Sequence, residues 1–171
     1  FDEVAQAAGG CISITGPDRD HPVRAGIPIG DLGGGMFGVM GILAALYERA
    51  LQRLRDTNRA YPCGCTRKVI EDELAAMGQP AQRGAEIVYP GTCRQSGIPE
   101  DTPAATRFLV PGQAVAFDDR VQGSLSQRLD AEVGDFVVHR RDGLFAYQLA
   151  VVVDDADLGV TDVVRGADLL D

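Results

Sequence analysis

Apolar residues recur at Met36, Met40, Leu43, Tyr47, Ala50 and Leu54, in alternating steps of four and three, the stripe of an amphipathic helix. The spacing predicts a helix over residues 36–56, preceded by a Gly-rich loop over residues 31–35. A shorter helix is expected from an N-cap at Thr66 through Val69, Ile70, Leu74 and Met77, stopping near Gly78. Residues 79–103 carry turn chemistry at Pro80, Gly84, Pro90-Gly91, Gly97 and Pro99, and form an ordered loop only if something ties them together. Beyond them, residues 114–117, 135–139, 144–153 and 160–164 read as strands. Arg141-Asp142-Gly143 is the turn between the second and third of these, and residues 150–153, continuously apolar and β-branched, read as a central strand covered on both faces.

Composition narrows the class. Hydrophobic residues make up 45% and charged residues 24% of the 171, which fits a globular chain and excludes disordered or collagen-like ones. Ten of the 21 glycines fall in the first 41 residues, so the N-terminal part is built differently from the rest. A net charge of −9 argues against a broad phosphate-binding surface and confines any nucleic-acid contact to a local patch. The apolar run over residues 33–47 reads as too short and too glycine-rich to span a membrane, and no basic segment precedes an apolar core. The expectation is a cytoplasmic protein without membrane contact.

Candidate chemistry gathers around cysteine. Cys11 stands alone while Cys63, Cys65 and Cys93 are grouped, which is not the even framework of a disulfide-rich domain and suits zinc. Tyr89 lies four residues before Cys93, and the Pro90-Gly91 turn can fold its phenolic oxygen toward the same point. Ligand chemistry alone leaves Tyr89, a His, an Asp or water open as the fourth ligand, and leaves open three half-buried structural cysteines. Tyr147, on the strand over residues 144–153, and Arg165, just past the strand over residues 160–164, sit where strand ends meet ligand in an open α/β sheet. There an Arg can grip a carboxylate and a Tyr hydroxyl can orient an amino acid, though a core tyrosine and an ion-paired surface arginine fit the same pattern. Asp154 and Asp155 read as strand-terminating turn residues and His139 as solvent-facing.

Cys63-x-Cys65-Thr66-Arg67 with Tyr89-Pro90-Gly91-Thr92-Cys93-Arg94 resembles the zinc-binding insertion of the bacterial glutamyl-Q tRNA(Asp) synthetases, truncated paralogues of the glutamyl-tRNA synthetases. The likeness continues through Phe117-Asp118-Asp119-Arg120-Val121-Gln122-Gly123, Gly134-Asp135-Phe136-Val137, Tyr147-Gln148-Leu149-Ala150 and Val163-Val164-Arg165-Gly166-Ala167-Asp168. Full glutamyl-tRNA synthetases usually carry Gly-Glu where this chain has Gly166-Ala167, which favours the glutamyl-Q branch. The resemblance implies an α/β fold: a partial class I synthetase (Rossmann-like) catalytic domain with a zinc-binding insertion, preceded by a Gly-rich loop and a long amphipathic helix. It implies Cys63, Cys65, Tyr89 and Cys93 as ligands of Zn2+, and Tyr147 and Arg165 as contacts to L-glutamate. It further implies ATP-dependent glutamate activation with transfer to the queuosine base of tRNA(Asp). Neither ATP signature of that family, a His-containing motif or a Lys-Ser-Lys type loop, occurs in the chain, so the ATP site is expected to be incomplete and activity low.

The N-terminal part resembles another family. Phe1-Asp2-Glu3-Val4-Ala5-Gln6-Ala7-Ala8-Gly9-Gly10, Pro28-Ile29-Gly30-Asp31 and Gly41-Ile42-Leu43-Ala44-Ala45-Leu46-Tyr47-Glu48-Arg49 are similar to a segment of the family III CoA-transferases. That resemblance implies a nucleophilic role for Asp31 through an acyl-enzyme anhydride, whereas the residues alone read Asp31 as a helix-start carboxylate favoured by the helix dipole. The expected division is residues 1–47, CoA-transferase-like, and residues 48–171, synthetase-like with its zinc insertion over residues 61–94. Three functions follow: the glutamate ligase, acyl-CoA transfer through Asp31, and a non-catalytic zinc-stabilised module. Oligomeric state is open at this level.

Overall fold

A computed structural model describes residues 1–79, 87–95, 98–99 and 102–167. The chain divides into two units, Phe1–Leu46 and Tyr47–Asp171.

In the first unit, helix α1 (Asp2–Ala8) is followed by the single turn α2 (Cys11–Ile14) and by the start of α3 (Ile29–Asp56), which runs on into the second unit. Residues 31–35, expected as a loop, are helical. The cause lies in α1: the buried Asp2 carboxylate accepts the Gly30 N–H at 2.7 Å and the Asp31 N–H at 3.4 Å, satisfying donors that a helix start leaves orphaned. Gln6, also buried, holds Asp2 at 2.7 Å.

The apolar stripe of α3 is covered unevenly. Met36 and Met40 are exposed, and burial becomes complete only at Leu51, which the stripe as first read did not include. The run over residues 33–47 lies inside this 28-residue helix, which by length and composition alone is long and apolar enough to cross a membrane, as core helices of soluble proteins and signal sequences also are. None of its most apolar 18-residue window is buried.

In the second unit a three-stranded antiparallel sheet has the order β1 (Ala60–Cys63), β2 (Ala105–Phe108), β5 (Val137–His139). Its register sets Cys63 opposite Ala105 and Arg107 opposite Val137. Helix α4 (Arg67–Ala76) is capped by Thr66, whose side chain accepts the Val69 N–H at 3.3 Å, and Gly78 at φ +77° ends the segment as the sequence predicts. Strands β3 (Val115–Asp119) and β4 (Gly123–Gln127) form a separate hairpin, of which only the first strand is expected from the sequence. A one-turn helix α5 (Leu129–Glu132) leads to β5.

The strand expected over residues 144–153 is not one. Phe145 makes a single bridge to His139 across the Arg141-Asp142-Gly143 turn, and the chain then enters helix α6 (Tyr147–Asp157). Leu149 and Val153, one helical turn apart, face the core, while Tyr147 and Val152 are exposed. A short apolar run reads equally as a buried strand or a helix face, and packing decided for the helix. Residues 160–164, also expected as a strand, lack regular structure, with Val160, Val163 and Val164 exposed.

Two cores result. Leu51, Val138 and Leu149 form one, flanked by Phe108, Phe136 and Phe145. Cys63, Ile70, Leu74 and Tyr89 form the other, against which Cys65 and Cys93 pack.

Candidate metal centre and adjoining cavity

Cys63 ends β1, so the ladder fixes its backbone, and Cys65 follows after one glycine, just ahead of the Thr66 cap. The Gly64 carbonyl accepts Arg141 Nη2 at 2.7 Å, which pins the turn between them. On the far side of the loop, Gly91 at φ +86° turns the chain into a 3-10 turn, Thr92–Arg94, that carries Cys93. The three sulfurs lie within 4.8 Å of one another, and those of Cys65 and Cys93 are 3.4 Å apart. Tetrahedral zinc–thiolate bonds of ~2.3 Å place sulfurs ~3.8 Å apart, so the trio fits a metal ion with little movement. The Tyr89 hydroxyl stands 3.4 Å from Cys63 Sγ and 3.7 Å from Cys65 Sγ, and accepts the Cys93 N–H at 2.8 Å. The donor set present, soft sulfurs plus one phenolic oxygen, is one that zinc accepts.

Without a metal these groups hold protons between them. Burial first, and then its sulfur neighbours, push the Cys65 thiol up to about 12, although the Tyr89 hydrogen bond pulls the other way. Burial and hydrogen bonds to Cys63 and Cys93 raise the Tyr89 phenol well above its ordinary value. Burial also penalises the Cys93 thiolate, but hydrogen bonds from Tyr89, Cys65 and the Gly64 backbone outweigh it and lower this thiol.

The cluster borders a cavity whose wall includes Cys65, Tyr89, Arg107, Asp135, Tyr147 and Arg165. Tyr147 is the first residue of α6 rather than part of a strand, and is mostly exposed. Arg165, in the irregular segment after α6, donates to Asp155 at 3.2 Å. Asp154 and Asp155 are helical, not turn residues, and Asp154 accepts the Tyr47 hydroxyl at 2.9 Å. His139 is half-buried against the Phe145 ring, 5.1 Å between centroids, rather than solvent-facing. Asp31 lies exposed in the first turn of α3. Asp168 and the turn positions Pro80, Gly84 and Gly97 lie outside the described residues.

Four residues that sequence reasoning did not single out complete the surroundings. Asp135, whose side chain is 0% exposed, receives Arg94 Nε at 2.6 Å and Nη2 at 2.8 Å, the Val110 N–H at 3.0 Å and the Tyr61 hydroxyl. Arg94 is held charged chiefly by that carboxylate, and Tyr61 is raised above the usual phenol range by burial and then by Asp135. Arg107 places its guanidinium 3.9 Å from the centre of the Tyr89 ring, and its Nε is buried without a hydrogen-bond partner among the described residues. A carboxylate set between Val133-Gly134 and Phe136-Val137-Val138 was the available signal, because a charge inside an apolar run is buried only when paired.

Residues 44–171 match the family of class I tRNA synthetases (E and Q), catalytic domain, and residues 1–53 match CoA-transferase family III. The chain is 55% identical over 130 residues to the glutamyl-Q tRNA(Asp) synthetase of Burkholderia cenocepacia, covering 74% of this chain and 42% of that protein. With its counterpart from Ralstonia nicotianae it shares 51% over 129 residues, 73% of this chain and 41% of the relative. The chain thus spans about two-fifths of the length of these curated relatives. A glutamate tRNA ligase from Elizabethkingia meningosepticum, solved in complex with its amino acid, superposes with a TM-score of 0.60 at 25% identity, over 76% of this chain and 28% of that one. Because the match over residues 44–171 takes in the whole sheet, the cysteine cluster and the cavity beside it, the chain belongs to the class I tRNA synthetases (E and Q).

Proposed function

We propose that residues 48–171 are the amino-acid-binding part of a ligase that activates L-glutamate with ATP and transfers it to the queuosine base of tRNA(Asp) in the cytoplasm. The observation that carries this reading is that Tyr147 and Arg165, far apart in sequence from the cysteine pair, line one cavity with Cys65 and Tyr89. Arg165 binds the carboxylate of the amino acid, exchanging its bond to Asp155 for a charge-assisted pair, and the Tyr147 hydroxyl orients the ligand. In such a ligase the glutamate carboxylate attacks the α-phosphate of ATP and pyrophosphate leaves, so catalysis is mainly positioning and charge stabilisation. Cys63, Cys65, Tyr89 and Cys93 would hold zinc, which supplies a structural cross-link closing residues 61–94.

Titration with L-glutamate tests the pocket. Arg165→Ala should weaken binding at least about tenfold, the loss of one charged hydrogen-bonded contact, and equal affinity in parent and variant would overturn the assignment. Glutamate-dependent exchange of pyrophosphate into ATP reports whether activation proceeds in this chain. A second reading, acyl transfer through Asp31, is favoured by the match of residues 1–53, and trapping an acyl-enzyme with hydroxylamine tests it.

A further inference from the structure

One dipeptide just ahead of β5, Gly134-Asp135, touches the metal loop at two points. Gly134, at φ +73°, makes a parallel bridge with Tyr89, and a Cβ there would stand 2.7 Å from the Tyr89 nitrogen and 3.1 Å from its carbonyl oxygen. Only glycine permits this approach. The next residue, Asp135, takes the Arg94 guanidinium in a two-pronged ion pair, and Arg94 is the neighbour of Cys93 in the 3-10 turn. From behind, the Asp135 carbonyl accepts Arg107 Nη1 at 2.6 Å while the Arg107 guanidinium lies over the Tyr89 ring. Tyr89 and Cys93, the two donors from the far side of the loop, are therefore both fixed through Gly134-Asp135, although neither residue is among the candidate ligands.

We propose that Gly134-Asp135 is the positioning device of the metal centre, with Asp135 setting metal affinity through Arg94 and without touching the ion. This rests on the metal reading of the cysteine cluster. The physical case is preorganisation: sulfur ligands gathered within 4.8 Å repel one another once deprotonated, and a scaffold that already holds them lowers the free energy a metal must supply to assemble them. A buried carboxylate anchored by a backbone N–H, a phenol and a guanidinium cannot shift without leaving a charge unpaired, so it is a stiff anchor.

The test compares the full chain with Asp135→Asn and Arg94→Ala. Zinc affinity is read by competition with a chromophoric chelator, ligand geometry by the d–d and thiolate charge-transfer bands of the cobalt(II) form, and folding by far-UV circular dichroism. Both variants should bind zinc about 10–100-fold more weakly, with altered cobalt bands, while remaining folded. Unchanged affinity and bands in a folded variant would overturn the proposal. The Arg94 side chain is 39% exposed, so Arg94→Ala decides the matter if Asp135→Asn fails to fold. Cys63→Ser separates the two levels: parent-like zinc binding in that variant means the metal reading itself fails. Loss in Cys63→Ser with parent-like binding in Arg94→Ala removes only the positioning role.

Discussion

At the scale of the residue, the cysteine cluster shows how environment divides the labour among like groups. Burial holds the Cys65 thiol protonated while hydrogen bonds favour the Cys93 thiolate, so the metal-free site keeps protons that a metal must displace. Zinc affinity should therefore rise with pH, by roughly tenfold per pH unit for each proton released, and competition titrations across neutral pH measure that slope. A pH-independent affinity would mean that the thiols are already ionised. For the metal-free chain the sign reverses. Because folding raises the Cys65 thiol from 9.0 to about 12, its contribution to stability is whole below 9.0 and is lost as the pH climbs through that window.

Elements follow packing where the sequence is ambiguous. The caps and turns at Thr66, Gly78 and Arg141-Asp142-Gly143 were legible because each is a local device whose chemistry is written in adjacent residues. The cysteine cluster was legible from residue type instead, because three of the four cysteines fall within residues 63–93 and soft sulfur ligands suit a metal ion. Helix α6 was not, since its continuous apolar run satisfies two periodicities and only the placement of Leu149 against Leu51 and Val138 distinguishes them. The start of α3 was hidden because its cap, Asp2, comes from another helix. The apolar run around Asp135 signals a buried, paired carboxylate, but its partners Arg94 and Tyr61 were hidden because they lie 41 and 74 residues away.

Helix α3 also carries a local weakness: a Cβ added at Gly33, Gly34 or Gly35 meets nothing within 4 Å. Replacing all three with alanine should stabilise the helix by up to about 2–3 kcal/mol, from about 0.8–1 for each, visible as higher helicity and a higher Tm. A lower Tm would show that these positions need glycine for a reason their surroundings do not reveal.

At the scale of the whole molecule, the division into Phe1–Leu46 and Tyr47–Asp171 places the cysteine cluster, both cores and the cavity in the second unit. A chain beginning at Tyr47 should still bind about one zinc, as metal analysis after gel filtration would show, and loss of the metal would mean that the first unit supports the site. Within the second unit, the contacts that fix the metal loop have very different reach. Cys65 and Cys93 are 28 residues apart, but the Arg94–Asp135 pair closes 41 and the Tyr61–Asp135 contact 74. Long closures form late in folding, because the chain must lose loop entropy before such a contact returns any stability. During synthesis the thiols therefore emerge, and stand open to oxidants, before Asp135 has left the ribosome. An early-bound metal ion would then serve as a guard of the nascent chain as well as a clasp of the finished fold.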